Sequence, residues 1–343
     1  MLTAVCIGET MAMLTPEAGT SLERAESLRL SNGGAESNVA LGLAAMGLDV
    51  QWISRVGRDG FGSRILAELS EHGVGVAGVE VDASRPTGLY VKVPATDEAP
   101  ASVIYYRRGS AASAMGPELL ADPRVAELLD RASLIHVSGI TAALSDDCLA
   151  LLEALLTRPR SSARVSFDVN WRAPLWAGRD SGALRRLANL ADIVLVGRDE
   201  AEHAFGTGDE AELRRLLPGP DVVVVKNEAT SAIALERGGR RAEVPALAVD
   251  VVEPVGAGDS FAAGYLSGVL FGLGQRESLR RGHVAAACTL TVGGDRGPLP
   301  DAATLERVLG CSEDEWATTT VSRAGFAIGG ARQGAAQGAR HDG

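Results

Sequence analysis

The chain has 343 residues, 46% of them hydrophobic, which suffices for one large packed domain or a core with a small appendage. A formal net charge of -11 argues against nucleic acid or an anionic membrane as a partner, so any local cluster of arginines needs a specific reason. Four scattered cysteines, Cys6, Cys148, Cys288 and Cys311, show no CxxC or metal-ligand spacing and read as small buried hydrophobes in a reducing compartment.

The N-terminal "LTAVCIGE" is a short apolar run ending at Gly8, a buried strand by length and composition, with no basic region that would mark a signal peptide. Residues 10 to 32 lack helical periodicity. "AESNVALGLAAM" reads as a helix stopped by Gly47, followed by the strand "VQWISRVG" and the helix "FGSRILAELSEHG". "TGLYVKV" and "ASVIYYRRG" alternate in strand fashion and form a hairpin outside the main rhythm. Strands and helices then alternate: "SLIHVSG", "DDCLALLEALL", "ARVSFDVN", "GALRRLANL", "DIVLVG", "DEAEHAFG" and "DVVVVKN", with "AIALERGG" as a hairpin arm.

This rhythm predicts an α/β fold, a doubly wound and mostly parallel sheet with helices on both faces. Ligands are expected at the carboxyl ends of its strands. The irregular pieces, about 10–32 and 87–109, would make a small β-sheet lid over that edge. The predicted domain covers 1–315. From about Thr318 the composition turns to Gly, Ala, Arg and Gln, so 316–343 reads as a disordered tail. The longest candidate membrane segment, Ser260 to Gly274, falls short of the roughly 20 residues that span a bilayer, and the expected location is the cytoplasm.

The segment "EPVGAGDSFAAGYLSGVL" carries the chemistry. Gly256 and Gly258 let the backbone turn sharply and bring its N–H groups, with that of Ala257, close to a ligand. A helix beginning near Asp259 would aim its unpaired N–H groups and positive dipole end at the same point, making an anion hole. Asp259 at its mouth is a carboxylate able to take a proton from an alcohol. Alcohol, base and anion hole together describe phosphoryl transfer to a hydroxyl. The plain alternative is an N-cap aspartate with glycines in a turn. No Walker-A GxxxxGK[ST] occurs, and the pattern lacks the third glycine of a dinucleotide fingerprint. In "SNGGAESNVALGLAAMG", the Gly pair admits a ligand at Gly34, and Asn38 can both donate to and accept from a polyol.

These two elements, one near each end, resemble the two signatures of the ribokinase-like (PfkB) sugar kinases, and the likeness extends over about residues 1 to 310. The resemblance implies ATP as donor, Mg²⁺, Asp259 as the base and the 256–259 amides as the anion hole. Within that family, "VIYYRRGSAASAM", "LIHVSGITAALS" and "SFDVNWRAPLW" are similar to 2-keto-3-deoxygluconate kinases. A sugar acid has a carboxylate that a neutral hexose lacks, and Arg107 and Arg172 could grip it through paired charge-assisted bonds. Tyr90, Tyr105 and Tyr106 offer flat apolar faces with hydroxyl tips. Arg108 should point to the opposite face, onto a solvated edge. Arg172 could instead touch ATP phosphate, and Asp295 either contacts substrate or only forms a turn. The nucleotide is expected near Asn170, Gly197, Lys226, Ala229 and Ser231, besides Gly256 and Gly258. The family's Asn-x-x-Glu stretch corresponds here to "GRDE", with Gly197 for Asn; the retained Glu200 could hold Mg²⁺ through water. The loop "KNEATSA" departs further, with Glu228 where phosphates would be disfavoured. His72, His136, His203 and His283 read as structural. A lid with open edges implies a homodimer or larger homo-oligomer paired through it. The rival readings are a fructokinase or other ketose kinase, and a non-catalytic sugar-acid sensor.

Overall fold

The computed structural model describes residues 2–17, 19–95, 100–159 and 162–330. Its strands are β1 (Thr3–Ile7), β2 (Met11–Thr15), β3 (Arg29–Gly33), β4 (Asp49–Gly57), β5 (Val74–Asp82), β6 (Leu89–Val93), β7 (Ser102–Tyr106), β8 (Leu134–Ser138), β9 (Arg164–Asp168), β10 (Ile193–Gly197), β11 (Val222–Asn227), β12 (Ser231–Glu236), β13 (Arg241–Pro245), β14 (Ala248–Val249), β15 (Thr320–Ser322) and β16 (Gly325–Ala327). Nine of them form one sheet in the order β13-β12-β11-β10-β9-β8-β1-β4-β5. Pairing is parallel from β11 through β5, and β12 and β13 add an antiparallel edge. The central strands β1, β8 and β10 are buried along their whole length, as a sheet covered by helices on both faces requires. One apolar cluster fills each side of the sheet, with Val5, Ile135 and Phe167 in the first and Ala4, Leu134 and Leu195 in the second. The alternation along each strand sends neighbours to opposite faces.

The irregular pieces form a separate four-stranded sheet, β3-β2-β6-β7, the lid. β5, "VGVAGVEVD", was not among the expected strands. Its glycines break the apolar pattern, yet it pairs with β4.

The expected tail needs correction. Helix Glu313–Ala317 buries Trp316, whose indole N–H donates to the Pro245 carbonyl at 2.9 Å. β15 then pairs in parallel with β14, and β16 folds back on β15. Folded structure therefore continues through Gly330; a few large side chains, Trp316 and Val321, outweigh a Gly- and Ala-rich composition. The remainder of the expected tail lies outside the described residues. Among the described residues, no helix is long and apolar enough to cross a membrane.

Candidate active site

The strands place their carboxyl ends side by side. Register pairs Ser138 with Asp168, and Gly197 with Lys226, so these residues line one edge of the sheet. The Lys226 ammonium bonds both oxygens of Asp168, at 3.1 and 3.0 Å. Burial pulls the lysine down, but Asp168 and Glu200 outweigh it and hold it above its ordinary range.

The late helix runs Ala257–Leu270, two residues earlier than expected, with Gly256 as its N-cap. Gly256 has φ of +82°, and a Cβ there would stand 2.1 Å from the Asp295 carbonyl oxygen. Only glycine meets both conditions. The amides of Ala257, Gly258 and Asp259 thus open the helix, where they have no intrahelical acceptor. Lys226 lies at this mouth: a Cβ built on Gly258 would be 3.8 Å from its Nζ.

Asp259 sits on the first turn and accepts a bond from Asn38 Nδ2 at 2.9 Å. Asn38 belongs to the early helix, Ala35–Ala45, capped by Gly34. What brings the pair together is close packing one turn further on. A Cβ on Gly42 would lie 2.6 Å from that of Ala263, so the helices touch where Gly42 has no side chain. Asn38 and Gly42 are four apart, as are Asp259 and Ala263, so one contact aligns the other. Asn38 therefore holds the carboxylate, where sequence suggested a sugar contact. Burial pushes the Asp259 carboxyl up to about 7, with Asp168 adding to the rise; Asn38, Arg172 and Lys226 oppose it. A carboxyl with its pKa near neutrality is suited to taking a proton in catalysis.

Glu200 occupies the first turn of helix Arg198–Phe205 and turns back to accept from the Gly197 N–H at 2.8 Å. Its other oxygen accepts from Arg172 at 3.4 Å. Burial and Asp168 raise its pKa, and Lys226 opposes them. Asn170, just past β9, is buried with φ of +40°, and its Oδ1 has no hydrogen-bond partner. A buried acceptor on strained backbone at a strand end fits a ligand donor. Ser231 opens β12 and is buried, whereas Ala229 and Glu228 stand exposed on the three-residue turn before it. Glu228 is in positive φ at +43°.

On the lid, Tyr90 and Tyr105 face each other across β6 and β7, with ring centroids 5.8 Å apart. The Tyr90 hydroxyl donates to Asp295 at 3.3 Å, which places Asp295 under the lid. Tyr106 alternates onto the other face, beside Leu89, and is 59% exposed. The expectation that it joins Tyr105 at the substrate is thereby corrected. Arg108 is exposed, as expected. Arg107 is not solvated: its Nε donates to Glu9 at 2.7 Å, and its Nη2 also pairs with that carboxylate.

Three acidic partners were missed. Asp168 had a legible signal, a lone carboxylate ending the buried run "VSF". Glu9 carried the same mark after "AVCIG". Glu36, on the inward side of the early helix, accepts from Ser138 Oγ at 2.7 Å and Thr141 Oγ1 at 2.6 Å. Burial raises its pKa.

The site is thus a carboxylate, an ammonium and a helix N-terminus at the carboxyl edge of a parallel sheet, beneath a β-lid. A 2-dehydro-3-deoxygluconokinase of Bacillus subtilis is 35% identical over 306 residues, 87% of this chain and 93% of that enzyme. A 2-dehydro-3-deoxygalactonokinase of Haloferax volcanii is 32% identical, over 89% of this chain and 96% of its own. The crystal structure of a PfkB protein from Polaromonas sp. JS666 superposes with a TM-score of 0.75 at 35% identity, covering 84% of this chain and 95% of that one. The pfkB family carbohydrate kinase model matches residues 1–302, which takes in both glycine-bearing helix starts and all four lid strands. Fold, site and likeness agree: the chain belongs to the pfkB family of carbohydrate kinases.

Proposed function

We propose that the chain transfers the γ-phosphoryl group of ATP to the terminal hydroxyl of 2-keto-3-deoxygluconate, giving the 6-phosphate. The observation that carries this reading is the Asp259 carboxyl, fixed by Asn38 on the first turn of a glycine-bounded helix start with Lys226 at its mouth. The acceptor hydroxyl gives its proton to Asp259 as its oxygen attacks the γ-phosphorus, and the bond to the departing ADP oxygen breaks. Charge on the transferring group falls to the amides at 256–259 and to Lys226, which need no reorganisation to receive it.

Among the described residues no cluster of three metal-ligating side chains is present, so Mg²⁺ would be held through its own waters. Asp168 is paired with Lys226, and Glu200 spends its oxygens on Gly197 and Arg172. That pattern suits a hydrated ion held through water by Glu200 and Asp168 rather than by a dedicated cage. Bound there, Mg²⁺ would neutralise phosphate charge.

Arg107 and Arg172 read the substrate carboxylate, and Tyr90 and Tyr105 line the sugar chain. Closure of the lid excludes water, so that the phosphoryl group goes to the sugar. The lid also supports a homo-oligomer. β7 is its open edge and is exposed throughout, including Val103, Ile104, Tyr105 and Tyr106. Such an edge is a template for pairing with a second copy. Light scattering checks this; a monomer at micromolar concentration contradicts it.

The deciding experiment is ATP consumption with a panel of 2-keto-3-deoxygluconate, its galactonate epimer and fructose. Turnover of the gluconate-derived acid well above fructose supports the reading. Preference for fructose makes the chain a ketose kinase, and no turnover on any makes it a sensor. The epimer is included because the Haloferax relative is named for it.

A further inference from the structure

We propose that Glu9 is the positioning residue of Arg107: it holds the guanidinium so that its remaining edge faces the sugar acid. The inference rests on the reading that Arg107 binds the substrate carboxylate.

Glu9 and Arg107 come from different parts of the molecule. Glu9 follows β1, an interior strand of the large sheet, and Arg107 follows β7, an edge strand of the lid. Their side chains are 0% and 11% exposed. Glu9 is held on every side. Its Oε1 accepts from Ser110 Oγ at 2.5 Å, and its Oε2 accepts from Arg107 Nε at 2.7 Å and from Nη2. A side chain at Gly88 would meet Oε1 at 2.8 Å, so that oxygen packs close against the Gly88 backbone. The carboxylate therefore has little freedom to turn away.

A guanidinium presents two edges that can fork onto a carboxylate, Nε–Nη2 and Nη1–Nη2. Glu9 occupies the first through one oxygen, Oε2, while Ser110 holds Oε1. The second remains, and its direction is fixed because the group is planar and one edge is pinned. The Tyr105 ring, 5.6 Å from the guanidinium carbon, supports it from the lid. An arginine alone on a lid strand would have to give up its rotamer freedom each time substrate binds. Glu9 removes that cost before binding. It also cancels the arginine's charge, so the pocket reads an anion by geometry more than by net charge.

The test uses Glu9→Ala, Glu9→Gln, Glu9→Asp, Arg107→Ala and the Glu9→Ala/Arg107→Ala double variant of the full chain. KM for 2-keto-3-deoxygluconate is read against kcat and against KM for ATP. Arg107→Ala is expected to raise the sugar-acid KM by about 10- to 100-fold, the range of lost charge-assisted bonds. Glu9→Ala is expected to raise it about fivefold to tenfold, with KM for ATP unmoved and no further rise in the double variant. Glu9→Gln, whose amide oxygen still accepts from Nε, recovers most of the loss. Glu9→Asp, which keeps the charge but falls short by a methylene, does not; these two decide the matter if Glu9→Ala does not fold. Additive effects in the double variant, or a rise in KM for ATP equal to that for the acid, would mean a structural role and overturn the proposal. If Arg107→Ala leaves the sugar-acid KM unchanged, the carboxylate reading itself fails and takes this inference with it. If only the Glu9 variants are silent, the inference alone fails.

Discussion

The floor and the lid of this site are held by different forces. On the floor, two helices touch at Gly42 and Ala263, and that contact sets Asn38 against Asp259. On the lid, strand β7 is solvent-exposed along its length, and the sheet is tied to the frame by ion pairs. Lys92 reaches Glu253 at 3.1 Å and Asp295 at 3.6 Å, and Arg107 reaches Glu9. Close packing allows one geometry, because interiors do not deform continuously. Lys92 is shared between two carboxylates and can move from one to the other, whereas the buried Arg107–Glu9 pair stays fixed. On the proposed function, the floor would serve the chemical step and the lid the admission and release of substrate.

This division makes distinct predictions. Asp259→Asn should lower kcat by roughly 10²- to 10⁴-fold, the share of a general base, while KM for ATP stays within about threefold. Gly42→Val pushes a side chain into the Ala263 contact. It should lower kcat about 100-fold by displacing Asn38 and Asp259, and lower thermal stability by about 1–3 kcal/mol. A variant that melts early but keeps kcat would separate packing from catalysis and break the account of the floor. Lys92→Met loosens one tie of the lid. Its effect should be about threefold to fivefold, in the KM for sugar acid and less in kcat. An equal fall in kcat with KM unchanged would put the lid in the chemical step and erase the distinction.

Much of the frame was legible because parallel strands buried on both faces read as unbroken apolar runs. "LIHVS", "IVLVG" and "VVVVKN" needed no partner to be recognised. Asp259 and Gly256 were legible for a similar reason: a glycine turn before an apolar helix is a local feature. What stayed hidden depends on distant partners. Lys226 and Asp168 lie 58 positions apart, Arg107 and Glu9 98, and Asn38 and Asp259 221. Residue types suggested substrate contacts for Arg107 and Asn38; that each also meets a protein carboxylate was not legible. The C-terminal hairpin was hidden differently, since its burial rests on Trp316 and Val321 amid small residues.

The central claim is that the fold raises one carboxyl, Asp259, to about 7 so that it can accept the sugar's proton. Because the pKa is raised, the protonated form persists to near neutrality, and activity needs the deprotonated form. The pH dependence of kcat/KM for 2-keto-3-deoxygluconate, at saturating ATP, tests this most directly. The account predicts a fall approaching about tenfold per pH unit below about 7 and a plateau above it. A profile flat from about pH 5.5 to 8 would mean that the base is another group, or that no base of this kind is used.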